Sequence, residues 1–275
     1  MTANIVGVRF QKVGKIYHFD ASRQRNVEVG DHVVVNTSRG HQLGEVAKIN
    51  AKPQKTNREG IKSVLRIATP RDLVTRQMWQ QKEIEAVVNC QAKIKDLKLN
   101  EIKIILAEFT LNGKHLTFLY TNEKEDKKVN LTAVRKAMTK LYKTKISTRQ
   151  IGPRDAAKII GGMGACGLEE RCCTAYMTEF CPISIKMAKI QGISLAPSEI
   201  TGMCGRLRCC LKYEEGFYAA ARKDYPKRKT VVITPAGEGT VVKSNPISET
   251  ILVYVADRGL QEFPKDEVKR KPKTN

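Results

Sequence analysis

Short runs of alternating apolar and polar residues, rich in β-branched side chains and interrupted by glycines, open the chain. This pattern is typical of strands. The strand-like runs are residues 5–10, 15–19 and 31–36. Residues 51–63 are polar and turn-rich, which predicts a loop or a hairpin tip. We therefore expect a β-rich module over residues 1–68.

The spacing of apolar residues becomes helical at Pro70, which follows Thr69, a suitable N-cap. We predict a helix over residues 70–97 that buries one apolar stripe, with Cys90 as a small buried side chain rather than a ligand. The residues on this stripe are Ile84, Val87, Cys90, Ile94 and Leu97.

Two further strand-like runs are joined at Asn112-Gly113, a dipeptide that strongly indicates a hairpin. The pattern then predicts a helix, a strand and a short helix that starts at Pro153. The predicted ranges are strands 102–110 and 115–120, helix 130–142 and strand 145–151. We expect residues 69–162 to form an α+β region with helices packed on a mostly antiparallel sheet.

The last part of the chain alternates short strands with Gly- and Pro-containing turns, which predicts a small SH3-like β-barrel over residues 226–270. The predicted strands are 230–233, 239–243, 250–256 and 260–263. The tail from Lys265 is basic and polar, and we expect it to be frayed. Residues 33–46 and 231–241 show a faint sequence similarity to each other.

Composition adds a strong charge bias. Of 275 residues, 49 are Lys or Arg and 28 are Asp or Glu, a formal charge of +21 that favours polyanions or an acidic partner. Hydrophobic residues make up 41%, enough for packed cores, and no run approaches the ~20 apolar residues of a membrane span. The first residues lack the basic flank of a signal peptide. We expect a cytoplasmic protein without membrane insertion.

Part of the positive charge follows the predicted helix 130–142. Lys136, Lys140 and Lys143 are spaced i, i+4 and i+7 and so share a helical face, and no acidic residue lies between Asn130 and Arg154. This surface either contacts RNA or a partner protein, or is simply solvated. Three further cations extend the predicted surface: Arg149, Arg154 and Lys158.

Seven of the eight cysteines lie in residues 163–215, which predicts a metal-binding segment in a reducing compartment. Two related units each open with Cys-Gly after a glycine turn and close with a Cys-Cys pair. Their cysteines are Cys166, Cys172 and Cys173 in the first unit and Cys204, Cys209 and Cys210 in the second; Cys181 lies between the units. Thiolates in this number suit a [4Fe–4S] cluster or structural zinc, with metal-free thiols as the remaining alternative.

No catalytic motif is present in the sequence. There is no Gly-x₄-Gly-Lys-Ser/Thr phosphate loop and no Gly-x-Ser-x-Gly nucleophile elbow, and all four histidines lie far from the cysteines in sequence. We expect a protein that is not an enzyme.

Three stretches resemble the bacterial YaaT/RicT family, and the resemblance extends over about residues 5–260. They are IGPRDAAK at 151–158, PISIKMAK at 182–189 and CGRLRCCLKYE at 204–214. The resemblance implies a non-enzymatic cytoplasmic regulator in a complex with two small helical proteins of the YlbF and YmcA types. That complex carries [4Fe–4S] clusters and directs RNase Y in mRNA processing, with effects on sporulation, competence and biofilm formation.

The resemblance also implies a ligand set, drawn from Cys166, Cys172, Cys173, Cys204 and Cys209, with Cys210 in reserve. The first unit departs from the usual family pattern, because five residues rather than four separate Cys166 from Cys172. Cys181 is an additional thiol that the family does not usually have. The ligands of the first unit therefore stay open.

Overall fold

The structure is a computed structural model that describes residues 5–10, 15–24, 26–38, 40–49, 61–123, 129–178 and 180–271. It is an α+β protein with largely antiparallel sheets, as predicted, and the chain divides into two compact units, Met1–Glu179 and Phe180–Asn275. The four-module division made from the sequence is finer than this and stays a prediction. Most of the predicted loop, residues 51–60, lies outside the described residues. In the described part, no helix is both long and apolar enough to cross a membrane.

The first unit begins with a five-stranded antiparallel sheet in the order β2-β1-β4-β3-β5. Its strands are β1 (Ile5–Arg9), β2 (Tyr17–Asp20), β3 (His32–Thr37), β4 (Gly40–Lys48) and β5 (Val64–Ile67). Alternate valines such as Val8, Val33 and Val46 are fully buried on one face. The sequence analysis missed β4 and β5. In β4, Gly44 is required because a side chain there would collide with Val8 of the neighbouring strand.

Helix α1 (Pro70–Asp96) follows this sheet, and its predicted start is confirmed. The Asp72 carboxylate accepts a hydrogen bond from the Thr69 backbone N–H at 2.8 Å and a second at 2.9 Å from Arg66 Nη2. These bonds satisfy a free donor at the helix start and place the carboxylate at the positive end of the helix dipole.

The buried stripe of α1 differs from the prediction. Cys90 is fully buried, as expected, and burial raises the pKa of its thiol to about 12. Ile84, however, is 70% exposed and Leu97 is 37% exposed. The core-facing positions include Glu83 instead, whose carboxylate accepts hydrogen bonds from the Phe109 N–H at 2.7 Å and from Arg76 at 2.6 Å. A glutamate whose charge is paired thus occupies a buried position, where a hydrophobic pattern predicts an apolar residue.

A three-stranded sheet, β6 (Ile102–Phe109), β7 (His115–Asn122) and β8 (Lys145–Gln150), packs against α1. The predicted hairpin between β6 and β7 is confirmed. Strand β8 pairs with β7 in parallel, because α2 (Thr132–Tyr142) provides the crossover between them. Helix α3 (Pro153–Ile160) follows, and the four-residue helix α4 (Cys172–Ala175) comes near the end of the unit.

The second unit begins with three helices that the sequence analysis did not predict. They are α5 (Ile185–Gln191), α6 (Pro197–Ile200) and α7 (Cys210–Ala221). Met187, Ala188, Ile200 and Leu211 form their shared core. Helices this short depend on tertiary packing, so their sequences carry little periodic signal.

A second five-stranded antiparallel sheet ends the chain, in the order β12-β11-β10-β9-β13. Its strands are β9 (Val231–Thr234), β10 (Gly237–Asn245), β11 (Thr250–Val255), β12 (Gly259–Pro264) and β13 (Lys269–Arg270). Closure into an SH3-like barrel stays a prediction. The expectation of a frayed tail from Lys265 is wrong as far as Arg270, because β13 pairs with β9.

The faint sequence similarity between residues 33–46 and 231–241 corresponds to one hairpin that occurs twice. Thr37 Oγ1 donates to the Gly40 carbonyl at 2.8 Å, and Thr234 Oγ1 donates to the Gly237 carbonyl at the same distance. Both glycines have a positive φ, +117° and +111°, a backbone conformation that residues with a side chain rarely adopt. The two five-stranded sheets therefore contain the same turn.

Candidate functional site: two cysteine turns

The two predicted cysteine units form the same backbone turn, one in each unit of the structure. In the first cysteine segment (residues 161–173), the Gly164 N–H donates to the Leu168 carbonyl at 2.8 Å, and the Gly167 N–H donates to the Gly164 carbonyl at 3.1 Å. In the second cysteine segment (residues 200–210), Gly202 donates to Arg206 and Gly205 donates to Gly202, both at 2.9 Å. Each turn presents its first cysteine at the same position.

Glycine is required where each turn reverses. Gly167 and Gly205, which directly follow Cys166 and Cys204, have φ values of +89° and +74°. Residues with a side chain rarely adopt this left-handed backbone conformation. The glycine of each Cys-Gly pair is therefore required by the turn itself, whether or not a metal binds.

An arginine directly before each Cys-Cys pair ties the turn to the preceding helix. Arg171 Nε donates to the Met163 carbonyl at 3.1 Å, and Arg208 Nε donates to the Thr201 carbonyl at 3.2 Å. Relative to the turn glycines, these are equivalent carbonyls. The sequence analysis did not assign a role to Arg171 or Arg208, although their shared position before the Cys-Cys pairs was a visible signal.

The same two guanidinium groups reach a second carbonyl upstream. Arg171 Nη1 donates to the Ala157 carbonyl in α3, and Arg208 Nη2 donates to the Ser198 carbonyl in α6, each at 2.8 Å. A planar guanidinium offers several donors in a fixed geometry, so one side chain can bridge two carbonyls. We call these two side chains the arginine tethers.

The extra residue of the first segment lies outside the hydrogen-bonded turn. The turn closes between Gly164 and Leu168, and the tether begins at Arg171, so the insertion lies in the link between them. The longer spacing therefore changes the distance along the chain from Cys166 to Cys172 without altering the turn that holds Cys166.

Each Cys-Cys pair stands at the start of a helix. Cys172 and Cys173 open α4, while Cys209 is the N-cap of α7 and Cys210 its first residue. Cys173 is buried, whereas Cys166 and Cys181 are exposed. Cys172, Cys204, Cys209 and Cys210 are half-buried, and none of the eight cysteines, all of which are described, forms a disulfide.

The residues of the segments suit a thiolate-bound metal in their chemistry and local backbone. A Cβ on Gly164 would lie 3.2 Å from the Cys166 sulfur, and one on Gly202 would lie 3.8 Å from the Cys204 sulfur, so each thiol lies close over a bare backbone. Among the described residues, however, no group of three or more His, Cys, Asp or Glu side chains converges as metal ligands do. Convergence on a metal stays a prediction.

The cations predicted to form one surface separate into several places. Lys136 and Lys140 of α2 line a common open pocket beside Ile146 of β8. Lys143 is the C-cap residue of α2, with a φ of +51°, and does not line this pocket. That Lys143 shares a surface with Lys136 and Lys140 stays a prediction.

The other three predicted cations do not line this pocket. Arg149 lies on β8 at odd spacing from Ile146, so the two side chains project from opposite faces of the strand. Arg154 and Lys158 lie on α3. The Lys158 ammonium donates to the Met177 carbonyl at 3.4 Å, and burial lowers its pKa.

Comparison with known proteins assigns the chain to a family. It is 37% identical over 256 residues to the stage 0 sporulation protein YaaT of Bacillus subtilis (strain 168), an alignment that covers 93% of this chain and 91% of the relative. The chain belongs to the YaaT family. Family models for the PSP1 C-terminal conserved region and for the third domain of PSP1-like proteins match residues 62–151 and 182–225. No solved structure matches the chain.

These matches fall on the parts of the fold described above. The PSP1 C-terminal region, residues 62–151, spans β5 to β8 and so includes the α2 pocket. The third-domain model, residues 182–225, includes the whole second cysteine segment with Arg208. The name of the Bacillus relative connects that protein with sporulation, which supports a regulatory role in the family.

Proposed function

We propose that this chain is a non-enzymatic cytoplasmic regulator whose cysteine segments bind a [4Fe–4S] cluster. The protein acts as a subunit of a complex with YlbF-type and YmcA-type helical proteins, and the complex adjusts mRNA processing by RNase Y. Sporulation, competence and biofilm formation are the processes that this regulation affects. The bound cluster supplies redox sensitivity to the complex.

The observation that carries the proposal is the repetition of one thiol-bearing turn. Two segments of different sequence reproduce the same turn, the same tether and the same Cys-Cys pair at a helix start. In a chain of 275 residues whose described part contains three packed sheets, cysteines are not needed as staples. Soft thiolates over bare backbone suit iron–sulfur clusters and zinc best.

Within this proposal, Cys166 and Cys204 are the turn ligands, and each Cys-Cys pair supplies a further thiolate. Cys172, Cys173, Cys209 and Cys210 are the candidates for that role. Adjacent cysteines rarely both point at one ion, so one thiol of each pair remains for packing, as the buried Cys173 indicates.

The test is metal analysis of the chain co-expressed and purified without oxygen together with YlbF-type and YmcA-type proteins from the same genome. We expect a brown complex that contains iron and acid-labile sulfide in equal amounts. C204S/C209S should lose both, while C90S, a matched cysteine substitution in the core of the first unit, should keep both. C181S reports whether the additional thiol takes part.

Two results would overturn the cluster. Stoichiometric zinc without sulfide would replace it with a structural zinc site, and a metal-free complex with titratable thiols would replace it with a thiol scaffold. The regulatory part is tested separately by mapping transcript 5′ ends in a strain that lacks the chain. RNase Y-dependent ends should decrease, and the C90S protein should restore them whereas C204S/C209S should not.

A further inference from the structure

An open pocket of about 400 Å³ lies beside α2 in the first unit, and no residue of either cysteine segment lines it. We call it the α2 pocket. Its walls come from three successive turns of the helix and from one residue of β8. The lining residues are Thr132, Arg135, Lys136, Thr139, Lys140 and Ile146.

The α2 pocket is positively charged without compensation. Arg135, Lys136 and Lys140 supply three cations, and among the described residues no carboxylate lines the pocket. None of the three forms an ion pair with another residue in the part of the chain that the structure describes. Clustered charges of one sign attract counter-ions more strongly than scattered charges do, so an anionic ligand is favoured here.

The helix also fixes one of the cations. Arg135 Nη2 donates to Thr132 Oγ1 at 3.2 Å, while Thr139 Oγ1 donates to the Arg135 carbonyl at 2.8 Å. The first bond holds the guanidinium toward the Thr132 end of the pocket, and the second ties the Thr139 hydroxyl to the helix backbone. Lys136 and Lys140 follow one helical turn apart, about 6 Å along the axis. The cations therefore form a row rather than a single point.

We propose that the α2 pocket binds the sugar–phosphate backbone of a nucleic acid, with successive phosphates contacting the row of cations. Backbone contacts of this kind come from Arg, Lys and hydroxyl side chains and carry no sequence preference. No aromatic residue is among the described lining residues, so we expect no base stacking there. Among nucleic acids, the choice of RNA rests on the proposed function. The inference that the ligand is a phosphate backbone does not rest on it.

The pocket suits a nucleic acid better than an acidic protein. Protein interfaces are organised around buried apolar or aromatic anchors, and Ile146 is the only large apolar side chain that the described part of the chain contributes to the lining. Nucleic-acid interfaces are polar and strongly positive, as this pocket is.

The test is the binding of a short fluorescent unstructured RNA to the full chain, measured by anisotropy across a range of salt concentrations. K136E/K140E should weaken binding about tenfold or more, and K136Q/K140Q should flatten the salt dependence by about 1.4 log units per log unit of salt, since each lost contact to a single strand removes about 0.7. The matched control is K95E/K103E, which has the same change in charge on the exposed Lys95 of α1 and Lys103 of β6.

The outcomes separate the possible ligands. Equal losses for RNA and for DNA of the same sequence support backbone phosphate as the ligand, and tighter binding of RNA identifies it as the natural source. Equal losses in K95E/K103E would overturn the proposal, because binding would then depend on net charge alone. Binding of a polyglutamate peptide, lost in K136E/K140E while RNA binding persists, would instead assign the pocket to an acidic protein. Iron and sulfide content is measured separately, so either proposal can fail alone.

Discussion

The arginine tethers make the geometry of each cysteine turn depend on one side chain. In Arg208→Ala, the hydrogen bonds to the Thr201 and Ser198 carbonyls are lost, while the backbone bonds of the turn itself remain. We expect the second cysteine segment to open locally more often without global unfolding of its unit. The reason is that α5, α6 and α7 keep their own apolar core.

The size of the effect follows from the two bonds. A hydrogen bond from a charged donor contributes about 1.5–3 kcal/mol when buried and less when solvent competes, as it does here, so about 1 kcal/mol for each is appropriate. Together they contribute about 2 kcal/mol, which corresponds to roughly a 30-fold increase in the population of the open segment. Arg208→Lys should show about half of this free-energy change, because an ammonium cannot bridge both carbonyls in the same way.

The assay is native-state hydrogen exchange followed by mass spectrometry of peptides from residues 200–210. Exchange of the Gly202 and Gly205 amides should accelerate about 30-fold in Arg208→Ala, since both amides are bonded within the turn. Arg228→Ala, which removes an exposed arginine of the same unit, is the control. If Arg208→Ala exchanges like this control, the tether does not hold the turn. Arg171→Ala should accelerate exchange only in residues 161–173.

Three further predictions concern the first unit, where Trp79 fluorescence reports urea unfolding. Glu83→Ala should lower the free energy of unfolding by about 3 kcal/mol, because Arg76 and the buried Phe109 N–H lose their partner. Glu83→Gln should lower it by less, and equal losses in the two variants would contradict this account. Hydrogen bonds from Arg66 and Thr69 hold the pKa of Asp72 well below its usual range. The stability advantage over Asp72→Asn should therefore be complete above about pH 5 and should be lost progressively as the pH falls further. Cys90 should resist alkylation by iodoacetamide until the unit unfolds, because it is fully buried. Labelling is followed by the mass of the peptides, and labelling of Cys90 as fast as that of the exposed Cys166 would refute its burial.

Local signals were sufficient for several elements. Asn112-Gly113 predicted the β6–β7 hairpin, because a tight connection between strands favours a residue that tolerates a positive φ, and Gly113 has a φ of +67° there. The Thr69-Pro70 pair predicted where α1 begins, because both residues act on the helix end that contains them. Neither prediction needed any knowledge of distant parts of the chain.

Other elements were missed because their cause lies elsewhere in the chain. Strand β4 is interrupted by glycines and polar residues, and it is a strand because β1 and β3 pair with it on both sides. Ile84 fitted the apolar pattern of α1 yet is exposed, while Glu83 is buried because Arg76 and Phe109 provide its partners. A pattern of hydrophobic positions cannot anticipate such a compensated charge.

The candidate site divides in the same way. The sequence by itself determined the two thiol-bearing units, their glycines and the charge excess, because residue identity and short spacing fix which donors exist and which turns can form. Only the tertiary structure showed that an arginine tethers each turn to an upstream helix, and that Arg135 rather than Lys143 joins Lys136 and Lys140 in one pocket. The physical reason is that these relations depend on where a helix ends and which carbonyls lie within reach, and packing decides both.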